Sequence, residues 1–196
     1  MKDWIGNKKS TFTTMGATGH SQTDREENDY YATDPKALDL LLNIETFDNN
    51  IWEPACGGGT LAEVLKRHGY NVYSTDIIDR GCNDDTFDFL KSDVKFNGDI
   101  ITNPPYKFAT EFVKHSLDCI EDGHKVAMFL KLTFLETRGR RELFEKDPFE
   151  TLYVSSSRLR CAKNGDFNFD SASATAYGWY IWKKGFSGTP QIKWFN

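Results

Sequence analysis

The sequence predicts an α/β protein: a single domain built on a mostly parallel, doubly wound sheet with an antiparallel last strand. Three observations carry this prediction. A short apolar strand, Ile51-Trp52-Glu53, runs into Pro54-Ala55-Cys56-Gly57-Gly58-Gly59 and then into a helical stretch, Thr60 to His68. Strand and helix signals keep alternating after it, as parallel strands joined by helical crossovers require. The rhythm breaks only near the end, where Leu152 to Ser155 and Ala174 to Trp182 read as two strands with a long loop, Ser156 to Ser173, between them.

Each element has its own local reason. Residues 1–28 are rich in Thr, Ser, Gly, Lys and Asp with little hydrophobic period, and read as a flexible polar arm ahead of a domain spanning 29–196. At Thr33-Asp34-Pro35 a helix start is marked by a capping side chain and a proline in the first turn, and Leu38, Leu41 and Leu42 form its apolar stripe. Gly69 stops the helix that follows the glycine turn, and Asn71 to Thr75 is a second strand ending at Asp76. Strand Asp99 to Thr102, helix Phe108 to Ile120, strand Lys125 to Leu132 and helix Arg138 to Lys146 continue the alternation.

Composition bounds the function. The chain has 196 residues, 39% hydrophobic and 14% aromatic, enough for one packed core. It contains no apolar run near the roughly 18 to 20 residues of a bilayer span, and its first residues do not read as a secretory signal, so a cytoplasmic protein is expected. Cys56, Cys82, Cys119 and Cys161 form neither a CxxC pair nor a dense framework and are expected as reduced thiols; the scattered histidines give no metal site. With 24 Lys/Arg against 29 Asp/Glu the net charge is −5, which supplies no global field for phosphates. The charge is uneven, however: residues 155–196 carry six Lys/Arg against two Asp, whereas 20–50 carry eight acids against Arg25 and Lys36.

The chemistry concentrates at two places. A strand ending at Glu53, three glycines, and an acid 23 residues on at Asp76 match the way nucleotide folds hold a cofactor: glycines admit a close ligand, and the acid accepts ribose hydroxyls. The GxGxxG spacing is absent, and Pro54 and Cys56 do not suit a pyrophosphate, so a cofactor without phosphates is favoured. The structural alternative is that these glycines only permit close packing of strand and helix. The second place is Asn103-Pro104-Pro105-Tyr106, directly after an apolar strand and so at the carboxyl edge, where open α/β sheets bind ligands.

Together, Glu53 to Leu61 and Asn103-Pro104-Pro105-Tyr106 resemble the class I S-adenosylmethionine-dependent methyltransferases that modify exocyclic amino groups, above all adenine N6. Tyr31-Ala32-Thr33-Asp34-Pro35 and Asp88-Phe89-Leu90 resemble two further cofactor motifs of that family, and the likeness covers about Glu26 to Leu132. Small size and the stretch Arg25 to Pro35 most resemble compact bacteriophage and prophage members, whose setting would be a bacterial host's cytoplasm. The resemblance implies a Rossmann-like methyltransferase domain with S-adenosylmethionine as cofactor and S-adenosylhomocysteine as product. Asn103, Pro104, Pro105 and Tyr106 are then the catalytic set. The Asn103 side-chain oxygen and the Pro104 carbonyl would each accept one amino hydrogen, so that the nitrogen lone pair turns to the methyl, while Tyr106 stacks on an extruded base.

The cofactor positions implied are Asp76 with Ile77 for the ribose side, Asp88 and Phe89 for the adenine, and Glu53, Pro54, Ala55, Cys56, Gly57 and Gly59 for the methionine moiety. Tyr31, Thr33 and Asn103 complete them, although helix capping accounts equally well for Thr33. Asp84 and Asp85 compete with Asp88, which is preferred because an aromatic follows it. Substrate contacts are expected from Tyr106, Lys131 and Arg138, with Arg140 and Arg141 beside them, and from Arg158, Arg160 and Lys163; a solvated face explains these cations equally well. Only 12 residues separate Leu90 from Asn103, too few for a target-recognition insert. DNA stands ahead of RNA as the partner. A protein glutamine amide, or a cofactor-binding interaction protein without turnover, are the competing readings.

Overall fold

Alternation along one central strand shows why both sheet faces are covered. In Tyr177–Lys183, Trp179 and Ile181 join a core with Leu38, Leu41, Leu61, Leu65 and Phe129, whereas Tyr180 and Trp182 join another with Trp52, Phe112, Met128 and Phe149. A strand buried on both sides reads as continuously apolar. The computed structural model describes residues 31–157, 159, 161–163 and 175–196. The expectations for the arm 1–28 and for Arg158 and Arg160 fall outside them, as do the side chains of Tyr31 and Lys163.

The strands are β1 (Tyr31–Thr33), β2 (Asn50–Glu53), β3 (Asn71–Asp76), β4 (Asp85–Thr86), β5 (Asp99–Thr102), β6 (Lys125–Lys131), β7 (Thr151–Val154), β8 (Cys161–Lys163), β9 (Tyr177–Lys183) and β10 (Gln191–Trp194). The helices are α1 (Pro35–Leu42), α2 (Thr60–Arg67), α3 (Ala109–Cys119) and α4 (Arg138–Lys146), with short 3-10 turns at Phe89–Lys91, Tyr106–Phe108 and Leu132–Leu135. The main sheet runs β10-β7-β9-β6-β5-β2-β3-β4, and β9 is antiparallel to both its neighbours. The predicted doubly wound α/β architecture is thus present. Its antiparallel strand lies inside the sheet, and a further strand, β10, runs parallel to β7 at the edge.

This order places the site. From β2 the chain winds outward through α2 to β3 and β4, then returns to β5 on the other side of β2. The carboxyl ends of β2 and β5 therefore form the crevice where winding reverses, the usual ligand position in open α/β sheets. At the opposite end the structure is braced: Asp99 accepts from the backbone N–H groups of Asp48 and Lys125, both at 2.7 Å. Three buried indoles are satisfied as the core demands, with Trp52 donating to Thr75 Oγ1, Trp179 to the Ala37 carbonyl and Trp182 to the Asp147 carbonyl.

One small element had no sequence signal. β1 pairs antiparallel with β8, Thr33 opposite Cys161 and Tyr31 opposite Lys163, making a two-stranded ribbon apart from the main sheet. No helix among the described residues is long and apolar enough to cross a membrane.

Candidate cofactor and acceptor site

The glycine turn adopts conformations that need glycine. Gly57 has φ 55° and Gly59 φ 81°, and a Cβ on Gly59 would lie 3.2 Å from the Cβ of Cys82. Gly59 also caps α2 without a side chain to offer. That role passes to Glu53, whose buried carboxylate accepts from the Ala62 N–H in the first turn of α2. Its second oxygen, Oε2, is buried with no hydrogen-bond partner among the described residues. Burial, with the nearby Asp76 charge, raises the Glu53 pKa well above the usual carboxylate range.

Asp76, at the end of β3, reaches back to the turn after β2. Its Oδ2 accepts from the Gly57 N–H at 2.8 Å, and its Oδ1 from the Ile78 N–H at 3.0 Å and Arg80 Nη1 at 3.1 Å. Cys82 Sγ donates to the Gly57 carbonyl at 3.2 Å, so the segment after β3 lies against the turn. Burial first, then Glu53 and Asp76, push the Cys56 thiol pKa up, which makes it a poor nucleophile.

The capping reading of Thr33 does not hold. The cap of α1 is Asp34, whose Oδ1 accepts from the Lys36 N–H at 3.0 Å. Thr33 Oγ1 is instead buried without a hydrogen-bond partner among the described residues, on a strand that packs against α2, the helix that follows the glycine turn. Thr33 Oγ1 and Glu53 Oε2 are thus two buried oxygens without a partner among the described residues.

Across the crevice, β5 ends in the fully buried Thr102 and delivers Asn103, half-buried, with Pro104 buried and Pro105 exposed. The chain then turns through the 3-10 segment to present the half-buried ring of Tyr106 beside Tyr177, with ring centroids 6.0 Å apart.

No protein-family model and no curated protein sequence matches this chain. Solved structures do match in fold. A candidate RNA methyltransferase from Pyrococcus horikoshii superposes over 91% of this chain and 100% of its own, with TM-score 0.55 and 12% identity. The type I restriction-modification methyltransferase subunit from Streptococcus thermophilus covers 83% of this chain over 46% of its own, with TM-score 0.55 and 14% identity. An S-adenosylmethionine-dependent O-methyltransferase from Thermotoga maritima covers 80% over 66%, with TM-score 0.52 and 16% identity. The fold is that of the class I S-adenosylmethionine-dependent methyltransferases.

Within this methyltransferase fold the remaining expected residues separate. Glu53, Pro54, Ala55, Cys56, Gly57, Gly59, Asp76 and Asn103 stand at or beside the switch point. Ile77, directly after Asp76, is 60% exposed, an apolar side chain left open at the rim. Asp88 caps the 3-10 turn through the Leu90 N–H and pairs with Lys91 at 2.9 Å. Phe89 is a core residue, edge-on to Trp52 at 5.1 Å and packed against Phe112. The competitors of Asp88 have structural duties: Asp84 accepts from the Ser74 N–H and hydroxyl, which lowers its pKa, and Asp85 accepts from the Tyr73 hydroxyl.

The cations after β6 also divide. Arg140 reaches back to the carbonyls of Thr133, Phe134 and Glu136, and Arg141 pairs with Glu145 at 2.6 Å. Lys131 stands at the site over Tyr106, and Arg138 is exposed at the start of α4. Sequence reasoning missed Lys107, exposed next to Tyr106, and the half-exposed apolar pair Phe108 and Leu135; adjacency to Asn103-Pro104-Pro105-Tyr106 was the available signal for the first two. A groove of about 610 Å³ lined by Glu45, Lys125, Glu150, Lys183 and Lys193 lies at the amino ends of β6 and β7, away from this crevice.

Proposed function

We propose that this chain transfers a methyl group from S-adenosylmethionine to the exocyclic N6 amino group of adenine in DNA, in the manner of small phage-type enzymes. The observation that carries the reading is the placement of Asn103-Pro104-Pro105-Tyr106 at the carboxyl end of β5, next to the β2 glycine turn. The residues present fit the cofactor. Thr33 Oγ1 and Glu53 Oε2 are buried polar atoms without a partner among the described residues, suited to its ammonium end. Asp76 is held where ribose hydroxyls would reach it, with Ile77 and Asp88 toward the adenine. When bound, the cofactor supplies an electrophilic methyl on a sulfonium.

The protein supplies orientation. An adenine amino nitrogen is a weak nucleophile because its lone pair is delocalised into the ring. Two acceptors, the Asn103 side-chain oxygen and the Pro104 carbonyl, draw one hydrogen each and turn the lone pair out of the ring plane. Proline fixes φ at two successive positions, so the direction of that carbonyl is set before the base arrives. Tyr106 offers an aromatic face to the extruded base, and such stacking contributes about 1 to 3 kcal/mol. Lys107, Lys131 and Arg138 border the crevice and suit backbone phosphates.

RNA is the second acceptor, favoured by two observations: the candidate RNA methyltransferase is matched along its whole length, and no insert separates Leu90 from Asn103. The test is transfer of isotope-labelled methyl from S-adenosylmethionine to unmethylated duplex DNA, single-stranded DNA and bulk RNA, digested to nucleosides. Labelled N6-methyladenine in DNA that vanishes with Asn103→Ala is the expected result. Label in RNA moves the acceptor, and none in any pool overturns the reading.

A further inference from the structure

Two of the described neighbours of the Tyr106 ring are of opposite character. Tyr177 is buried and stacked on Phe129, with centroids 5.3 Å apart and planes 14° apart, so it belongs to the core. Lys131 places its ammonium 5.0 Å from the Tyr106 centroid. The two are direct partners in the β6–β9 register, so both side chains leave the same face of the sheet and converge on Tyr106. The Lys131 backbone is anchored, since the Tyr180 hydroxyl donates to the carbonyls of Lys131 and Leu132, each at 3.3 Å. Its side chain is half-buried, and no carboxylate among the described residues pairs with it, whereas Lys91, Lys125 and Arg141 each have one.

We infer that Lys131 is a positioning residue that occupies the face of Tyr106 in the free protein and gives it up to the incoming adenine, carrying its charge to that nucleotide's phosphate. The inference rests on the proposed reading of Asn103-Pro104-Pro105-Tyr106. A base entering from solvent cannot displace Tyr177, which the core holds, but it can displace an ammonium on a flexible four-carbon stem. Base stacking on an aromatic ring outweighs the attraction of a partly solvated ammonium for it. The displaced ammonium gains the phosphate as a counter-ion. Base and phosphate are then recognised in one exchange, and the ring stays shielded until both are present.

The test follows the lysine side-chain signals of the intact protein by NMR with S-adenosylhomocysteine bound. Lys107, Lys125, Lys131 and Lys193 all lie over aromatic rings, so the Lys131 signal is assigned by its loss in Lys131→Arg. It is expected upfield in the free protein and at the ordinary lysine position in Tyr106→Leu. Saturating dAMP should release it, while dTMP and inorganic phosphate should not. Absence of the upfield shift, its persistence under saturating dAMP, failure of dAMP to bind, or release by phosphate alone overturns the inference. In the acceptor strand found by the methyl-transfer assay, Lys131→Met should raise KM far more than it lowers kcat and reduce the salt slope of binding by about 0.7 to 0.9, one phosphate. Unchanged slope and KM count against it. If label enters nucleic acid but Lys131 behaves otherwise, this inference alone falls; if no label enters any nucleic acid, the reading beneath it falls.

Discussion

The Gly57 N–H donates to Asp76 Oδ2 at 2.8 Å, tying the turn after β2 to the end of β3 beside the crevice. With Ile78 and Arg80 on its other oxygen, the carboxylate is oriented in advance. Asp76→Asn sets an amide NH2 against one of these donors. S-adenosylhomocysteine should bind at least about tenfold more weakly, or about 1.4 kcal/mol, as read by calorimetry. Unaltered affinity would remove Asp76 from the cofactor site.

Thr33 and Asp34 should part company. Thr33→Val removes a buried hydroxyl that has no partner among the described residues, so stability to urea should hold or rise, while affinity for S-adenosylhomocysteine falls. Asp34→Ala removes the α1 cap and should cost about 1 kcal/mol of stability. A Thr33→Val protein that loses stability and keeps its affinity would contradict this division.

Glu53 predicts a pH dependence of definite sign. Burial, then the Asp76 charge, raise its folded-state pKa against the opposing Ala62 N–H and Lys66. The unfolded chain releases this proton near the ordinary value of about 4.3. Its contribution to stability is therefore complete below that value and declines as pH rises through the folded pKa. Glu53→Gln should gain stability relative to the natural protein as pH rises from mildly acidic to mildly alkaline, measured by urea midpoints. Glu45 runs oppositely. Burial raises its pKa, but hydrogen bonds from Lys125 and Tyr153 prevail and lower it, so its contribution is lost as pH falls.

Asn103→Ala should leave S-adenosylhomocysteine binding within a few-fold and reduce methyl transfer by roughly 10² to 10³, the usual scale for one oriented polar group acting on the transition state. Parallel calorimetry and labelling check this. Equal losses in both would assign Asn103 to cofactor binding alone.

Thr137 has φ 96° and ψ 136°, a backbone region that suits glycine, on the rim between the Leu132–Leu135 turn and α4. Thr137→Gly should relieve about 1 kcal/mol of strain and raise the unfolding midpoint. A lower midpoint would show that the threonine side chain offsets its own strain.

Local signals made most of the fold legible. The Asp34-Pro35 start of α1, the glycine turn and the alternation through α4 involve near neighbours in sequence, and each element stands where its pattern placed it. The β1–β8 ribbon was not legible, because two three-residue strands far apart in the chain carry no periodicity of their own. At the site, residue types were readable but commitments were not. Arg140 and Arg141 looked equivalent to Lys131, yet only the fold shows three carbonyls around Arg140. For Arg141, the acid four positions on at Glu145 was a usable local sign. Phe89 likewise shares a motif with Asp88, but its packing on Trp52 and Phe112 depends on contacts that no short stretch encodes.

The position of β9 between β6 and β7 bears on how the chain acquires its shape during synthesis. The strand at the centre of this half of the sheet emerges after both strands that it joins, and until Tyr177–Lys183 appears each of them presents an open hydrogen-bonding edge. A ribosome-bound chain halted before Tyr177 therefore exposes one edge of β6 and both edges of β7, whose other partner β10 comes later still, along with the hydrophobic faces that Trp179 and Trp182 later cover. Residue Tyr177 onward acts as a late closing wedge, and nascent chains stalled just ahead of it are the ones most exposed to chaperones and to self-association.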